Sequence, residues 1–203
     1  MSQASSRLAS AGDVTLLYIH GFNSSPQSFK ARLLQEYFDR RQLSGRFRVP
    51  ALPPEPRKAM AMLEQELAAA GPVALLGSSL GGFYATWLAA HHDVPAVLIN
   101  PAVRPWRLLA AAVGQQANYH TGETWQFEAQ WLDQLRHYQV ETIPKPENLL
   151  VMLQTGDETL DWRDAWDYYA DCHLMRTLGG SHGYDDFDAV IPLVLRFCGI
   201  TAD

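Results

Sequence analysis

The chain has 203 residues, 47% of them hydrophobic and 19% charged. That is enough apolar material for one ordinary domain burying about 70% of its unfolded surface, and it excludes disorder for the bulk of the chain. The 16 Lys and Arg against 22 Asp and Glu leave a net charge of −6 with the basic residues scattered, no run of 18 apolar residues occurs, and Cys172 and Cys198 are the only cysteines; nucleic-acid binding, a membrane span, a disulfide scaffold and a zinc cluster are therefore not expected, and a soluble, reducing, cytoplasmic setting is.

Residues 1–12 lack the apolar core of a secretory signal and read as a flexible start to a single domain spanning 13–203. Val14 to Ile19 is a continuous run of strand formers, apolar but for Thr15, as suits a strand buried on both faces. After Ser25-Pro26, Phe29, Leu33, Leu34, Tyr37 and Phe38 recur at helical spacing. Phe47 to Val49 is a short strand candidate, and Arg57 to Ala70 is the strongest helical stretch, stopped by Gly71-Pro72. Strands follow at Val73–Leu76, Ala96–Ile99, Asn148–Leu153 and Cys172–Leu178. Helices are expected from Ser79 to about His91, near Trp162–Ala170 and over Phe187–Phe197. Strands alternating with helices predict a mostly parallel sheet covered on both faces, an α/β fold. Only 101–146 breaks the alternation. It offers no good strand and reads as a small helical insertion or lid, with helices around Trp106–Val113 and Thr124–Tyr138. Its aromatics, Trp106 and Trp125 among them, either seal the insertion onto the sheet or line a substrate pocket.

Gly77-Ser78-Ser79-Leu80-Gly81 matches G-x-S-x-G, in which the serine sits on a strained turn between strand and helix with its hydroxyl exposed. At this chain's Gly and Ser frequencies the match arises by chance in roughly one chain in twenty, so context must support it. A second match, Gly179 to Gly183, is followed by Tyr184-Asp185-Asp186, whose carboxylates would oppose an alkoxide, and the one histidine after Ser181 is its immediate neighbour. Ser79 is therefore the nucleophile candidate.

A serine hydroxyl needs a base, and the hydrolase order is Ser, acid, His. Asp157 follows one predicted strand and His182 the next, a separation of 25 residues that holds one helix and one strand and brings both to the sheet edge of Ser79. Glu158 and Asp161 are the other acids in reach; Asp161 is placed to cap the helix starting at Trp162. An oxyanion would need two backbone donors, for which Leu80 and Phe22 are placed, with Gly21 allowing an unusual backbone angle. His20 is a candidate at the substrate loop, expected to shape it by hydrogen bonding. His91-His92 ends a helix, and His120, His137 and His173 have no partner at metal spacing, so neither a metal nor another cofactor is expected.

With HGF after the first strand, GSSLGG at the turn, TGDE after a late strand and GGSHGY near the end, the chain resembles the α/β-hydrolase superfamily. YIHGFNSSPQSFKA, GSSLGGFYATWLA, LINPAVRPW and QTGDETLDWRDAWDYYA are more specifically similar to the YqiA-like small bacterial esterases. The resemblance covers nearly everything after Thr15 and departs at Ser181, where an asparagine is commoner in the group. It implies a serine esterase acting on a small-molecule ester, or on an acyl thioester, with Ser79, Asp157 and His182 as its triad. An acyl-CoA thioesterase would need a basic rim, for which only Arg104 and Arg107 are near. A binding module on the same scaffold would be expected to have lost a triad member.

Overall fold

A computed structural model describes residues 14–200, so the expectation for 1–12 lies outside the described residues. Four strand segments that are apolar at nearly every position form the sheet interior for the reason their sequence suggests: both faces are covered. Strand β1 (Thr15–Ile19) is buried along its whole length, as are β3 (Val73–Ser78), β4 (Ala96–Ile99) and β7 (Leu149–Gln154). The edges are β2 (Phe47–Arg48) and β8 (His173–Thr177), and every pairing in the order β2-β1-β3-β4-β7-β8 is parallel.

The two-residue period of a strand divides the core. Leu17, Ile19, Leu75, Leu98, Val151 and Leu153 face one layer, packed against helices α2 (Pro56–Ala70), α3 (Leu80–His92) and α6 (Trp162–Tyr168). Leu16, Tyr18, Leu76, Val97, Ile99 and Met152 face the other, against α1 (Phe29–Arg40) and α7 (Phe187–Phe197). Among the described residues no helix is long and apolar enough to cross a membrane.

The insertion differs from the sequence expectation. It contains α4 (Pro105–Leu109), one 3₁₀ turn, then an antiparallel hairpin of β5 (Gly114–Ala117) and β6 (Thr124–Phe127), and only then α5 (Trp131–His137). The purely helical reading of 101–146 is corrected here. Exposed and half-buried positions alternate along both strands, and tertiary anchors hold the hairpin: Tyr119 N–H donates to the Asn23 carbonyl at 2.8 Å, Asn118 Nδ2 to the Ser24 carbonyl at 2.8 Å, and Asn23 Nδ2 to Gln116 Oε1 at 3.0 Å.

From β1 the chain goes out to β2 and returns to β3 on the other side of β1. The crevice at the carboxyl ends of β1 and β3 is therefore a topological switch point, where open α/β sheets place ligands. The loop His20 to Asn23 and the turn at Ser79 both emerge there.

Candidate active site

Ser79 links β3 to α3 at φ 56°, ψ −120°, a conformation that side-chain-bearing residues rarely adopt and that costs on the order of 1–3 kcal/mol. The turn is possible because the residues two positions to either side, Gly77 and Gly81, lack side chains. A Cβ on Gly81 would stand 2.0 Å from the Ile19 carbonyl oxygen, so only glycine lets α3 start this close to β1. The expectation for Gly21 needs correcting. Its φ is not positive, and the positive value in that loop belongs to Asn23 at φ 53°. Gly21 is crowded instead: a Cβ there would lie 3.2 Å from Ser79 Cβ, a contact tighter than most that a side chain makes.

His182 Nδ1 and Asp157 Oδ2 are 2.8 Å apart, with the Asp157 side chain 2% exposed. The other carboxylate oxygen, Oδ1, accepts the N–H groups of Thr159 and Leu160 at 2.9 and 2.8 Å, which fixes the rotation of the group. Glu158 accepts the backbone N–H of His182 at 3.0 Å and Asp161 caps α6, so of the three candidate acids Asp157 is the one at the imidazole. Ser79 and His182 line one cavity of about 710 Å³, without a hydrogen bond between them among the described residues. Such contacts are commonly loose before substrate binds. Phe22 and Leu80 line it too, and neither amide N–H is taken up by a backbone acceptor among the described residues. Ser181 points elsewhere: its hydroxyl donates to Asp185 Oδ1 at 2.7 Å.

The His182 loop hangs on two residues that sequence reasoning did not single out. Asn100, buried and at φ 41°, donates through Nδ2 to the carbonyls of Ser181 and His182 at 3.0 and 3.2 Å. Its Oδ1 accepts the N–H of Gln154 at 3.0 Å, and Gln154 Oε1 in turn accepts the N–H groups of Ser181 and Asp185 at 3.0 and 2.8 Å. A visible signal existed for Gln154 alone, a polar residue ending a buried apolar strand. A third residue, Lys30, donates from Nζ to the Gly183 carbonyl at 2.7 Å.

His20, Trp106 and Trp125 do not line the cavity at Ser79. His20 is buried, its Nδ1–H donates to the Gly21 carbonyl at 3.0 Å and its Nε2 accepts the Leu52 N–H at 3.3 Å. Burial holds its pKa below the ordinary histidine value, so it is a neutral strut of the loop. Trp125 packs edge-on against Phe22 at 5.5 Å and stacks near Trp131, lining a separate cavity of about 140 Å³ with His20. Trp106 lies edge-on to Phe83. Both tryptophans seal the insertion onto the domain, and the wall facing Ser79 is aliphatic: Ala102, Pro105, Leu108, Leu109, Ala111 and Leu160. No group of three or more His, Cys, Asp or Glu converges to hold a metal ion among the described residues.

Comparison with known proteins agrees with this fold. The model of a family described as "Uncharacterised protein family (UPF0227)" matches residues 15–199. Among solved structures, the chain is similar to alpha/beta hydrolase domain-containing protein 10 from mouse (TM-score 0.66, 18% identity, covering 92% of this chain and 87% of that one). It is also similar to Est1E from Butyrivibrio proteoclasticus with bound ferulic acid (0.63, 13%, 95% and 89%). A monoacylglycerol lipase of Paleococcus ferrophilus gives 0.63 at 14% identity, over 92% and 94%.

Proposed function

The chain belongs to the UPF0227 family and carries the α/β-hydrolase fold, and from that premise we propose that it is a serine hydrolase of carboxylic esters. The observation that carries the reading is the Asp157–His182 pair opening onto the same cavity as the strained turn at Ser79. His182 Nε2 accepts the Ser79 proton as Oγ attacks the ester carbonyl. Asp157 holds the proton on Nδ1 and stabilises the imidazolium. The tetrahedral oxyanion takes the N–H groups of Leu80 and Phe22. His182 then returns its proton to the departing alcohol, the acyl group stays on Ser79, and water activated by the same histidine releases the acid. The aliphatic wall contributed by α4 and Leu160 accommodates a short-to-medium apolar chain.

An acyl-CoA substrate would find Arg104 and Arg107 on a neighbouring cavity of about 330 Å³, but Asp161 and Asp164 line that same cavity and oppose phosphates. Simple esters fit better. The free thiols Cys172 and Cys198 suit a reducing compartment, and we place the enzyme in the cytoplasm. The test is labelling with a fluorophosphonate, the adduct mapped by mass spectrometry. Ser79 is modified in wild type and in Ser181→Ala, and no serine is in Ser79→Ala. Folded wild type that takes no label would overturn the enzymatic reading in favour of a binding module.

A further inference from the structure

The lining of the cavity at Ser79 is of two kinds. Besides the aliphatic wall, the lining takes in the start of α1 with Phe29, where Ser28 occupies the N-cap position of a twelve-residue helix yet its side chain caps nothing. Ser28 is 8% exposed, lines the cavity, and its Oγ is buried beside the Tyr18 hydroxyl without a well-formed hydrogen bond among the described residues. A buried hydroxyl without a well-formed hydrogen bond is costly, and a ligand that supplied one would be favoured there. The first turn of α1 holds no acidic side chain either, which leaves the positive end of that helix unanswered.

Lys30, in that first turn, lines the same cavity. One of its three ammonium protons goes to the Gly183 carbonyl, immediately after His182, which puts the cation beside the reacting centre. Burial pulls its pKa down to about 8, with the field of Asp157 the opposing influence. Holding a cation in a desolvated place is unfavourable unless something negative meets it. Among the described residues lining the cavity there is no carboxylate at all, in a chain whose net charge is −6. The titratable cations facing it are Lys30, His120 and His182.

We propose that Lys30 and Ser28 form an anion subsite, so that the preferred ester carries a carboxylate or phosphate-like group within a few bonds of its scissile carbonyl and an apolar chain on the other side. The short tether follows from the position of the ammonium one residue past His182. The inference rests on the ester-hydrolase reading for its substrate, though the subsite itself can be read by binding alone.

Three matched ligands test it: monobutyl succinate, the butyl ester of phosphonopropionic acid, and neutral butyl pentanoate. Each is titrated into Ser79→Ala by calorimetry at neutral pH. At least one anionic ester should bind about tenfold tighter than the neutral one, in line with a charge-assisted hydrogen bond, and which of the two does so names the oxyanion. Adding Lys30→Gln, which keeps an N–H for Gly183, should bring the ratio to near unity, and Lys30→Arg should keep most of it. Equal binding of all three ligands, or a preference that survives both Lys30→Gln and Lys30→Met, overturns the subsite. Turnover of the same esters by wild type is measured in parallel. Anion-selective binding with no turnover would leave the subsite standing and overturn the esterase reading. Turnover with no anion preference would do the reverse.

Discussion

Asn100 is where a single substitution should separate the support of the site from its chemistry. Truncation to alanine strands the buried Gln154 N–H, at roughly 1–3 kcal/mol for a donor left without a partner. It also frees the Ser181 and His182 carbonyls, about 0.5–1.5 kcal/mol each, since both can turn towards water. An alanine at φ 41° adds about 1 kcal/mol of backbone strain that asparagine tolerates better. The central expectation is a loss of about 5 kcal/mol, which for a domain of this size lowers Tm by about 10–20 °C. Activity should fall further than stability explains. The hydrogen bond to the His182 carbonyl fixes the backbone that carries the base, and a displacement of an ångström at a reacting group costs about a hundredfold in kcat/KM. Thermal denaturation followed by circular dichroism, and kcat/KM on a chromogenic short-chain ester well below the new Tm, give the two numbers. A variant within about 2 °C of wild type that turns over at the wild-type rate would refute the claim that Asn100 holds the histidine loop.

Two further outcomes follow from positions already described. Gly81→Ala places a Cβ 2.0 Å from the Ile19 carbonyl oxygen and should yield no soluble folded protein, whereas Gly45→Ala, with nothing within 4 Å of the new Cβ, should be neutral or stabilising by about 0.4–1 kcal/mol; equal expression and equal Tm for the two would contradict the close approach of α3 to β1. Because Lys30 has a pKa near 8 when folded and 10.5 ordinarily, the unfolded chain binds more protons between those values, so wild-type stability should rise with pH relative to Lys30→Gln across that window and not below it. Urea denaturation of both proteins on either side of the window reads this directly, and a constant difference would show that Lys30 is not desolvated.

What the sequence revealed divides along a physical line. Segments such as Val14–Ile19 and Val73–Leu76 announce a parallel sheet because burial on both faces leaves nearly every position apolar. Ser79, Asp157 and His182 could be placed because each follows a strand, and strand ends are the most legible points in this fold. The hairpin of Gly114 to Phe127 was not legible, since it is held by Asn23 and Ser24 and not by strong local propensity. Trp125 and Phe127 nonetheless share its inward face, a two-residue period that a longer strand would have made obvious. Lys30 and Asn100 could not be read for a related reason. Their partners lie 153 and 81 residues away, and nothing local marks a lysine in an amphipathic helix or an asparagine after a strand as a support of the site.

The bonds from the hairpin to Asn23 and Ser24 bear on how such an enzyme can be altered. Tyr119 and His120, at the hairpin's tip, line the cavity at Ser79, and the segment that Asn118 and Tyr119 grip is the one that carries Phe22. On the proposed mechanism, substrate selection and oxyanion stabilisation would be mechanically tied through one backbone and two side-chain hydrogen bonds. A graft that replaces 114–127 to change specificity would also retune the geometry at Phe22, so the hairpin and the loop from His20 to Ser24 are best exchanged between relatives as one cassette.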